Sequence, residues 1–443
     1  MIKALLKFVD SEKLFSNLDH VLLAVSGGVD SMAMAHLFLD AGLTFSIAHV
    51  NYNLRGKDSV ADRDFVVNWA KTNNINVHVR EVEESEYSSG GSIQMIARNI
   101  RYAFFNDLVI EKGYIKVATA HHLNDSLETL LLNLTKGTGA QGIKGIPVKN
   151  GIIIRPMMFA SQIEILDYVK SNSIEWREDV SNSKVKYQRN LIRHKVIPAL
   201  KEVNPSLEET FKDTLTRLRG VSEVVLSSKN SIIENHLSEE KGLFILDTSW
   251  VEETNESLSI LSEILSDYGL SFVTSKDVFA NTLHGKSGSI FHSFSHSFNV
   301  DRGRIIIAEE EKKSEEVTVI SEGMNRSNHS KSTLLFEKLD GDVQIDRSPN
   351  CAYLDYDTIK WPIKIRGWRK GDKFTPLGMK GEKMVSDFMI DNKIPVTLKR
   401  RVLILETGGQ IAWLVGLRIG ERFKITTKTK KTLKISVSDA EVF

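Results

Sequence analysis

An apolar run, Val21-Leu22-Leu23-Ala24-Val25, breaks into Ser26-Gly27-Gly28-Val29-Asp30-Ser31 and resumes as a stretch carrying Met32, Met34, Leu37 and Leu39. This string restricts the possible folds more than any other part of the chain. Five consecutive apolar residues, two of them valine, read as a buried strand, and the residues after the turn suit a helix packed on it. The two glycines accept backbone angles and close approaches that a side chain forbids, so successive N–H groups can face an anion at the helix N-terminus. Ser26, Gly27, Gly28, Val29, Asp30 and Ser31 are therefore expected to cradle phosphate. A carboxylate beside a polyphosphate commonly holds a divalent cation, which makes Asp30 an expected Mg²⁺ ligand. A serine-capped turn with no ligand is the plainer alternative.

At 443 residues, 41% hydrophobic and 26% charged, the chain exceeds one ordinary domain and has the composition of globular protein. Two or three domains are expected. No apolar run approaches membrane-spanning length, and Met1 to Phe8 is too briefly apolar for a signal peptide. The lone Cys351 excludes an intramolecular disulfide and any Cys-x-x-Cys site. A cytoplasmic enzyme with no membrane partner is the expectation. The net charge of +1 is unevenly spread, because Trp361 to Phe443 holds 18 Lys/Arg against 8 Asp/Glu, a net +10, leaving −9 on the preceding 360 residues. Such a basic end suits RNA phosphates, although a solvated surface has the same composition.

Apolar runs at Val21–Val25, Thr44–Val50, Ile75–Val82, Ile115–Ala120 and Ile152–Ile154 alternate with helical patterns. This alternation predicts an α/β fold with a doubly wound, mainly parallel sheet and ligands at the carboxyl ends of the strands. Polar motifs follow at those ends. After the second run comes His49-Val50-Asn51-Tyr52-Asn53-Leu54-Arg55; after the fourth comes His121-His122-Leu123-Asn124-Asp125-Ser126-Leu127-Glu128-Thr129. Leu123, Leu127, Leu130 and Leu134 recur at helical spacing, which puts His121, Asp125 and Glu128 on the opposite side. Ser92 to Lys112 reads as a helix with Ile93, Ile96, Ile100, Phe104 and Leu108 inward and Arg98, Arg101 and Tyr102 on another face. Gly137-Thr138-Gly139-Ala140-Gln141-Gly142 follows a helix rather than a strand, so it reads as a flexible loop over the cleft and not as a dinucleotide site. Further on, Glu178 to Asn182 suits a turn, and Arg189, Arg193 and Lys195 form a basic patch for RNA or ATP phosphates, or a plain exposed face.

The Ser-Gly-Gly-x-Asp-Ser string after an apolar strand resembles the pyrophosphate loop of the N-type ATP pyrophosphatases, the PP-loop family. The order and spacing of Ser26–Ser31, His49–Arg55, Ala97-Arg98 to Arg101-Tyr102, His121–Thr129, Arg155-Pro156 and Glu178–Pro198 resemble more closely the bacterial tRNA(Ile)-lysidine synthetases. Departures occur at Ala120 and Tyr52, where that family commonly has Gly and His, and at Lys136, where it often has Arg. The resemblance implies ATP, Mg²⁺, free L-lysine and a CAU-anticodon tRNA(Ile) as reactants, with the wobble cytidine adenylated at O2 and then converted to lysidine, AMP and pyrophosphate. By this resemblance Asp30, Asp125, Glu128 and Arg98 are catalytic. His49, Asn51, Arg55, Arg101, His121, His122, Arg189, Asn190 and Arg193 meet substrate or RNA.

Leu207, Phe211, Leu215, Leu218, Val221 and Val225 sustain a long amphipathic helix, and further helical patterns run to about Leu283. Ile290 to Ala308, turning at Asp301-Arg302-Gly303, reads as a hairpin, and Glu309 to Glu316 as a charged linker. Short β-type runs at Ile363–Ile365, Val402–Leu405, Ile411–Leu417 and Thr432–Val437 mark a small α+β region. The expected division is a catalytic domain over 1–203, a helical tRNA-contacting domain over 204–308 and a basic tRNA-binding domain over 317–443. The last resembles the C-terminal domain of longer lysidine synthetases, which implies RNA contacts for Arg366, Arg369, Lys370 and Lys383. The oligomeric state stays open, with a homodimer as one option. A tRNA thiolase, an amide-forming synthetase for small molecules and a nonenzymatic RNA-binding protein are the competing readings.

Overall fold

The computed structural model describes residues 1–89, 92–178, 188–240, 242–310, 316–329, 332–341, 343–399 and 401–438. Asp179 to Tyr187, part of the expected turn motif, and most of the charged linker lie outside these. Two compact units divide the chain at Val224/Val225.

The first unit begins with helix α1 (Ile2–Ser11) and strand β1 (Val21–Ala24), followed by α2 (Val29–Asp40), β2 (Phe45–Asn51), α3 (Lys57–Thr72) and β3 (Val77–Glu81). Then come α4 (Ile93–Lys112), β4 (Lys116–Ala118), α5 (Leu123–Lys136), the short α6 (Ala140–Ile143), β5 (Lys149–Asn150), β6 (Ile153–Ile154) and α7 (Gln162–Ser171). The sheet order is β3-β2-β1-β4-β6-β5, parallel except that β5 runs antiparallel to β6. All five expected strands are present; β5, only two exposed residues long, carries no apolar pattern. Strands β1, β2 and β3 step to one side, whereas β4 returns to the other side of β1. The crevice outside the carboxyl ends of β1 and β4 is thus the switch point where such sheets receive ligands.

Helix α2 is buried nearly all round, from Met32 to Phe38, because it packs between the sheet and α1 and α7. Two expectations change here. In α4 the buried residues are Phe105 and Leu108, while Ile93 is exposed and Ile96, Ile100 and Phe104 are half-buried, so burial is confined to the second half of the helix. In α5, Leu123, Leu127 and Leu130 enter a core with Ile192, Ile197, Phe211 and Leu215, but Leu134 is exposed. The Gly137–Gly142 stretch is partly helical: α6 forms there, and Asn133 donates to the Gly142 carbonyl.

The second unit holds more strand than its helical pattern suggests. Helices Asn255–Ser266 and Phe272–Leu283 pack on a five-stranded antiparallel sheet formed by Leu237–Glu240, Leu243–Asp247, Ser289–His292, His296–Asp301 and Arg304–Glu309. The hairpin turn sits where expected, with Arg302 and Gly303 at φ +47° and +77°. The span 204–308 is therefore α+β rather than helical after its long first helix, Leu207–His236; its first two strands pair antiparallel, with Gly242 at φ +69° just before the second. Beyond it, a five-stranded and a four-stranded antiparallel sheet share a core that includes Leu334, Leu354, Ile365, Leu405, Trp413 and Ile435. No helix among the described residues is long and apolar enough to cross a membrane.

Candidate active site

The β1–α2 turn starts the site. Gly27 takes φ +93°, where a Cβ would also meet Val66 of α3 at 3.4 Å, and Gly28 caps α2 in an extended conformation. Ser31 Oγ donates to the Gly28 carbonyl at 2.9 Å and receives the Ser26 N–H at 3.2 Å, so the hydroxyls fold the loop back on itself. A second layer braces it from outside. Asp62 of α3 pairs with Arg55 at 2.8 Å and with Arg177, and the Arg177 N–H donates to the Gly27 carbonyl at 3.0 Å. His49 is buried beneath, hydrogen-bonded through Nδ1 to the Val25 carbonyl at 2.9 Å; burial pushes its pKa down, opposed by that carbonyl. Asn51 donates to Glu81 at 2.8 Å.

Across the switch point, β4 ends and α5 begins with a reciprocal cap, in which the Asp125 carboxylate receives the His122 N–H at 2.9 Å. Asp125 and Glu128, three residues apart, lie side by side on the cleft face. Glu128 is 1% exposed, and both carboxylates are gripped by arginines from the segment after α7. Arg189, on helix α8 (Gln188–Leu191), donates to Glu128 at 2.6 Å and to Asp125 at 2.9 Å. Arg193, on the π-helical turn Ile192–Val196, donates to Glu128 at 2.5 Å and lies 3.5 Å from Asp125. Asn190 lies between them on α8. Burial alone would raise the Asp125 pKa, but His122, Arg189 and the His122 N–H outweigh it and hold Asp125 ionised below its usual range.

His122 joins the two halves. Its Nε2 is 3.8 Å from Asp30 and 3.7 Å from Asp125. Asp30 is pushed up by burial, with His122 pulling the other way, and its Oδ1 is buried without a hydrogen-bond partner among the described residues. His121 bonds Thr119 at 2.9 Å and is held neutral, down to about 4, by burial, with Arg155, Arg189 and Arg101 adding to the effect against Asp125. On the α4 side, the Arg98 and Arg101 guanidinium groups lie 4.7 and 5.6 Å from the centre of the Tyr102 ring.

The structure thus brings Asp30, His121, His122, Asp125, Glu128, Arg189 and Arg193 into one cluster. Arg55 pairs with Asp62 and His49 bonds the Val25 carbonyl, while Asn51 bonds Glu81 of β3. In the second unit Arg369 and Lys370 are exposed, whereas Lys383 pairs with Asp391. Arg366 departs from its expected RNA contact: its guanidinium is taken by Asp372 at 3.0 Å and Glu406 at 2.9 Å, and its side chain is 12% exposed. Asp62 and Arg177 went unnoticed in the sequence, since nothing in their spacing ties them to Gly27.

A phosphate loop at the switch point of a parallel sheet, facing buried carboxylates, defines a PP-loop ATP-using enzyme. Residues 2–200 match the model for a PP-loop domain, residues 239–311 that for the TilS substrate binding domain, and residues 363–436 that for the TilS substrate C-terminal domain. A tRNA(Ile)-lysidine synthase of Parabacteroides distasonis is 32% identical, the match covering 98% of this chain and 99% of that protein. One from Bacteroides thetaiotaomicron is also 32% identical, over 97% of each, and one from Clostridium perfringens 31% over the whole of both. The chain belongs to the tRNA(Ile)-lysidine synthase family.

Proposed function

We propose that this protein uses ATP to join free lysine to C2 of the wobble cytidine in a CAU-anticodon tRNA(Ile), through an O2-adenylated cytidine. The observation that carries the reading is the buried Asp125–Glu128 pair at the end of β4, linked through His122 to Asp30 of the phosphate loop.

In the first step the cytosine O2 bonds to the α-phosphorus of ATP while the bond to the pyrophosphate oxygen breaks. Charge gathers on the departing pyrophosphate, and backbone N–H groups at the N-terminus of α2 offset it. Asp30, with its buried, unpartnered oxygen beside that loop, would hold Mg²⁺. When bound, the ion supplies further positive charge to the phosphates. Arg98 and Arg101, stacked on Tyr102, face the RNA side and hold the splayed nucleotide.

The second step needs a neutral amine from a group whose free pKa is about 10.4. Asp125, held ionised, and Glu128 beside it attract the lysine ammonium, and one of the two accepts its proton as the nitrogen bonds to C2 and AMP departs with O2. Arg189 and Arg193 hold both carboxylates in place until the ammonium arrives. Residues 204–308 and 317–443 position the tRNA through contacts remote from the edited base, with Arg369 and Lys370 as phosphate contacts.

The test is transfer of radiolabelled lysine to unmodified CAU-anticodon tRNA(Ile) with ATP and Mg²⁺, with methionine tRNA of the same anticodon as control. Label in the isoleucine tRNA alone is the expected outcome. AMP formation without label in RNA would overturn the acceptor assignment.

A further inference from the structure

Asn124 stands in the α5 motif, one residue before Asp125, yet neither step above uses it. It is buried, and its side chain reaches two other elements. Its Oδ1 accepts the Gln162 N–H at the start of α7 at 2.9 Å, and its Nδ2 donates to Glu208 Oε1 at 3.0 Å. Those partners fix the amide's orientation, since only its oxygen can accept and only its NH₂ can donate. Glu208, in the first turn of the helix Leu207–His236, is itself buried, and Lys201 of helix α9 (Ile197–Val203) pairs with it. Burial alone would raise the Glu208 pKa, but Lys201 and Asn124 outweigh it and hold the carboxylate ionised below its usual range. Capping α5 requires none of this, because the Asp125 carboxylate already receives the His122 N–H. The start of α5 is thus held a second time, by a partner 84 residues away in the sequence.

We propose that Asn124 and Glu208 are positioning residues for lysine transfer: their hydrogen bond fixes the rotation of α5 about its axis and so keeps Asp125 and Glu128 aimed at the amine. The proposal rests on the reaction described above. The His122–Asp125 cap lies within α5, so it moves with the helix and cannot orient it. Asn124 is bonded to other elements, and with about 3.6 residues per turn a rotation freed there carries Asp125 and Glu128 round together. Arg189 and Arg193 restrain the same carboxylates, but the entering ammonium competes with them. The Asn124–Glu208 bond takes no part in that exchange and holds α5 through it. A small rotation is felt in the rate, because misplacing a reacting group by about 1 Å can cost on the order of 10²-fold. Cytidine adenylation, served by the β1–α2 loop, depends on this bond far less.

Pyrophosphate release and lysine transfer would be measured separately for the wild type, Asn124→Ala, Asn124→Asp and the Asn124→Asp/Glu208→Gln double variant, with melting temperatures for each. Asn124→Ala is expected to lower kcat for lysine transfer by roughly 10- to 100-fold, with the KM for lysine and the rate of tRNA-dependent pyrophosphate release within about threefold of wild type. Asn124→Asp sets a carboxylate against Glu208 and gives a loss at least as large. Adding Glu208→Gln to it restores the bond with donor and acceptor exchanged, and lysine transfer returns to within about fivefold of wild type. An unchanged transfer rate in Asn124→Ala, equal loss of both steps, or a double variant that regains the melting temperature without the transfer rate would each overturn the proposal alone. A wild type that releases pyrophosphate but labels no tRNA would overturn the reaction assignment, and the proposal with it.

Discussion

Arg189 and Arg193 in the cleft make ion pairs as short as those of Arg366 in the C-terminal region, but the burial of the partners is arranged differently. In the cleft the acid is sunk and the base is outward: the Glu128 side chain is 2% exposed, while those of Arg189 and Arg193 are 40% and 29% exposed. Around Arg366 the three groups are about equally covered, at 12% for the arginine and 13% and 19% for Asp372 and Glu406. The Arg366 cluster is closed, with each charge spent on another. The cleft cluster is open on its cationic side, so a second cation, such as a lysine ammonium, can share the buried carboxylates without dismantling the fold. Ion-pair distance therefore says little about role; which partner faces the solvent says more.

The comparison breaks first at Asp30. Asp30→Asn keeps the shape of the loop and removes the charge, and pyrophosphate release with saturating tRNA is expected to fall by about 10²- to 10³-fold. A rate within threefold of wild type would exclude Asp30 from the phosphate chemistry.

Arg366→Met leaves two half-buried carboxylates without their cation. A loss of about 3 kcal/mol in the unfolding of the C-terminal region is expected, since removing one partner of a buried pair strands the other. Calorimetry tests this, and an unchanged transition would mean that the cluster is not closed as described.

The neutral His121 predicts a pH effect on stability. Its folded pKa, about 4, lies below the ordinary 6.5, so the unfolded chain binds the proton first. Its contribution is complete above about pH 6.5 and is lost as pH falls toward 4, up to about 3 kcal/mol. Denaturant melts of wild type and His121→Gln across that window should converge at the acid end; parallel curves would contradict the assignment.

The smallest effect belongs to the exposed cations. Arg369→Gln with Lys370→Gln should leave the melting temperature unchanged, weaken tRNA binding about tenfold at moderate salt, and reduce the salt slope by about one per lost contact. An unaltered slope would remove these two residues from the RNA surface.

The sequence made the catalytic half of the molecule legible because short apolar runs and glycine turns encode β1, β2, β3, β4 and β6 locally. Asp30, Asp125 and Glu128 follow directly from their places at strand ends. Other features escaped for physical reasons. Arg189 and Arg193 meet the α5 carboxylates across more than sixty residues, and no spacing rule carries such a pairing. The strands Arg326–His329 and Ser332–Asp340 are half polar because only one face enters the core, so their period is weak. Arg366 and Arg369 look alike within one basic motif; only the fold shows that Asp372 and Glu406 close around the first.

The most direct test of the two-step cleft is Asp125→Asn, assayed for both half-reactions on the same preparation. Asparagine can still accept the His122 N–H that caps α5, so the helix start is retained while the charge is lost. The account predicts ATP binding and tRNA-dependent pyrophosphate release within a few-fold of wild type, and lysine transfer reduced by at least about 10²-fold. Lysine transfer at the wild-type rate, or equal loss of both steps, would contradict the division of labour between the phosphate loop and the α5 carboxylates.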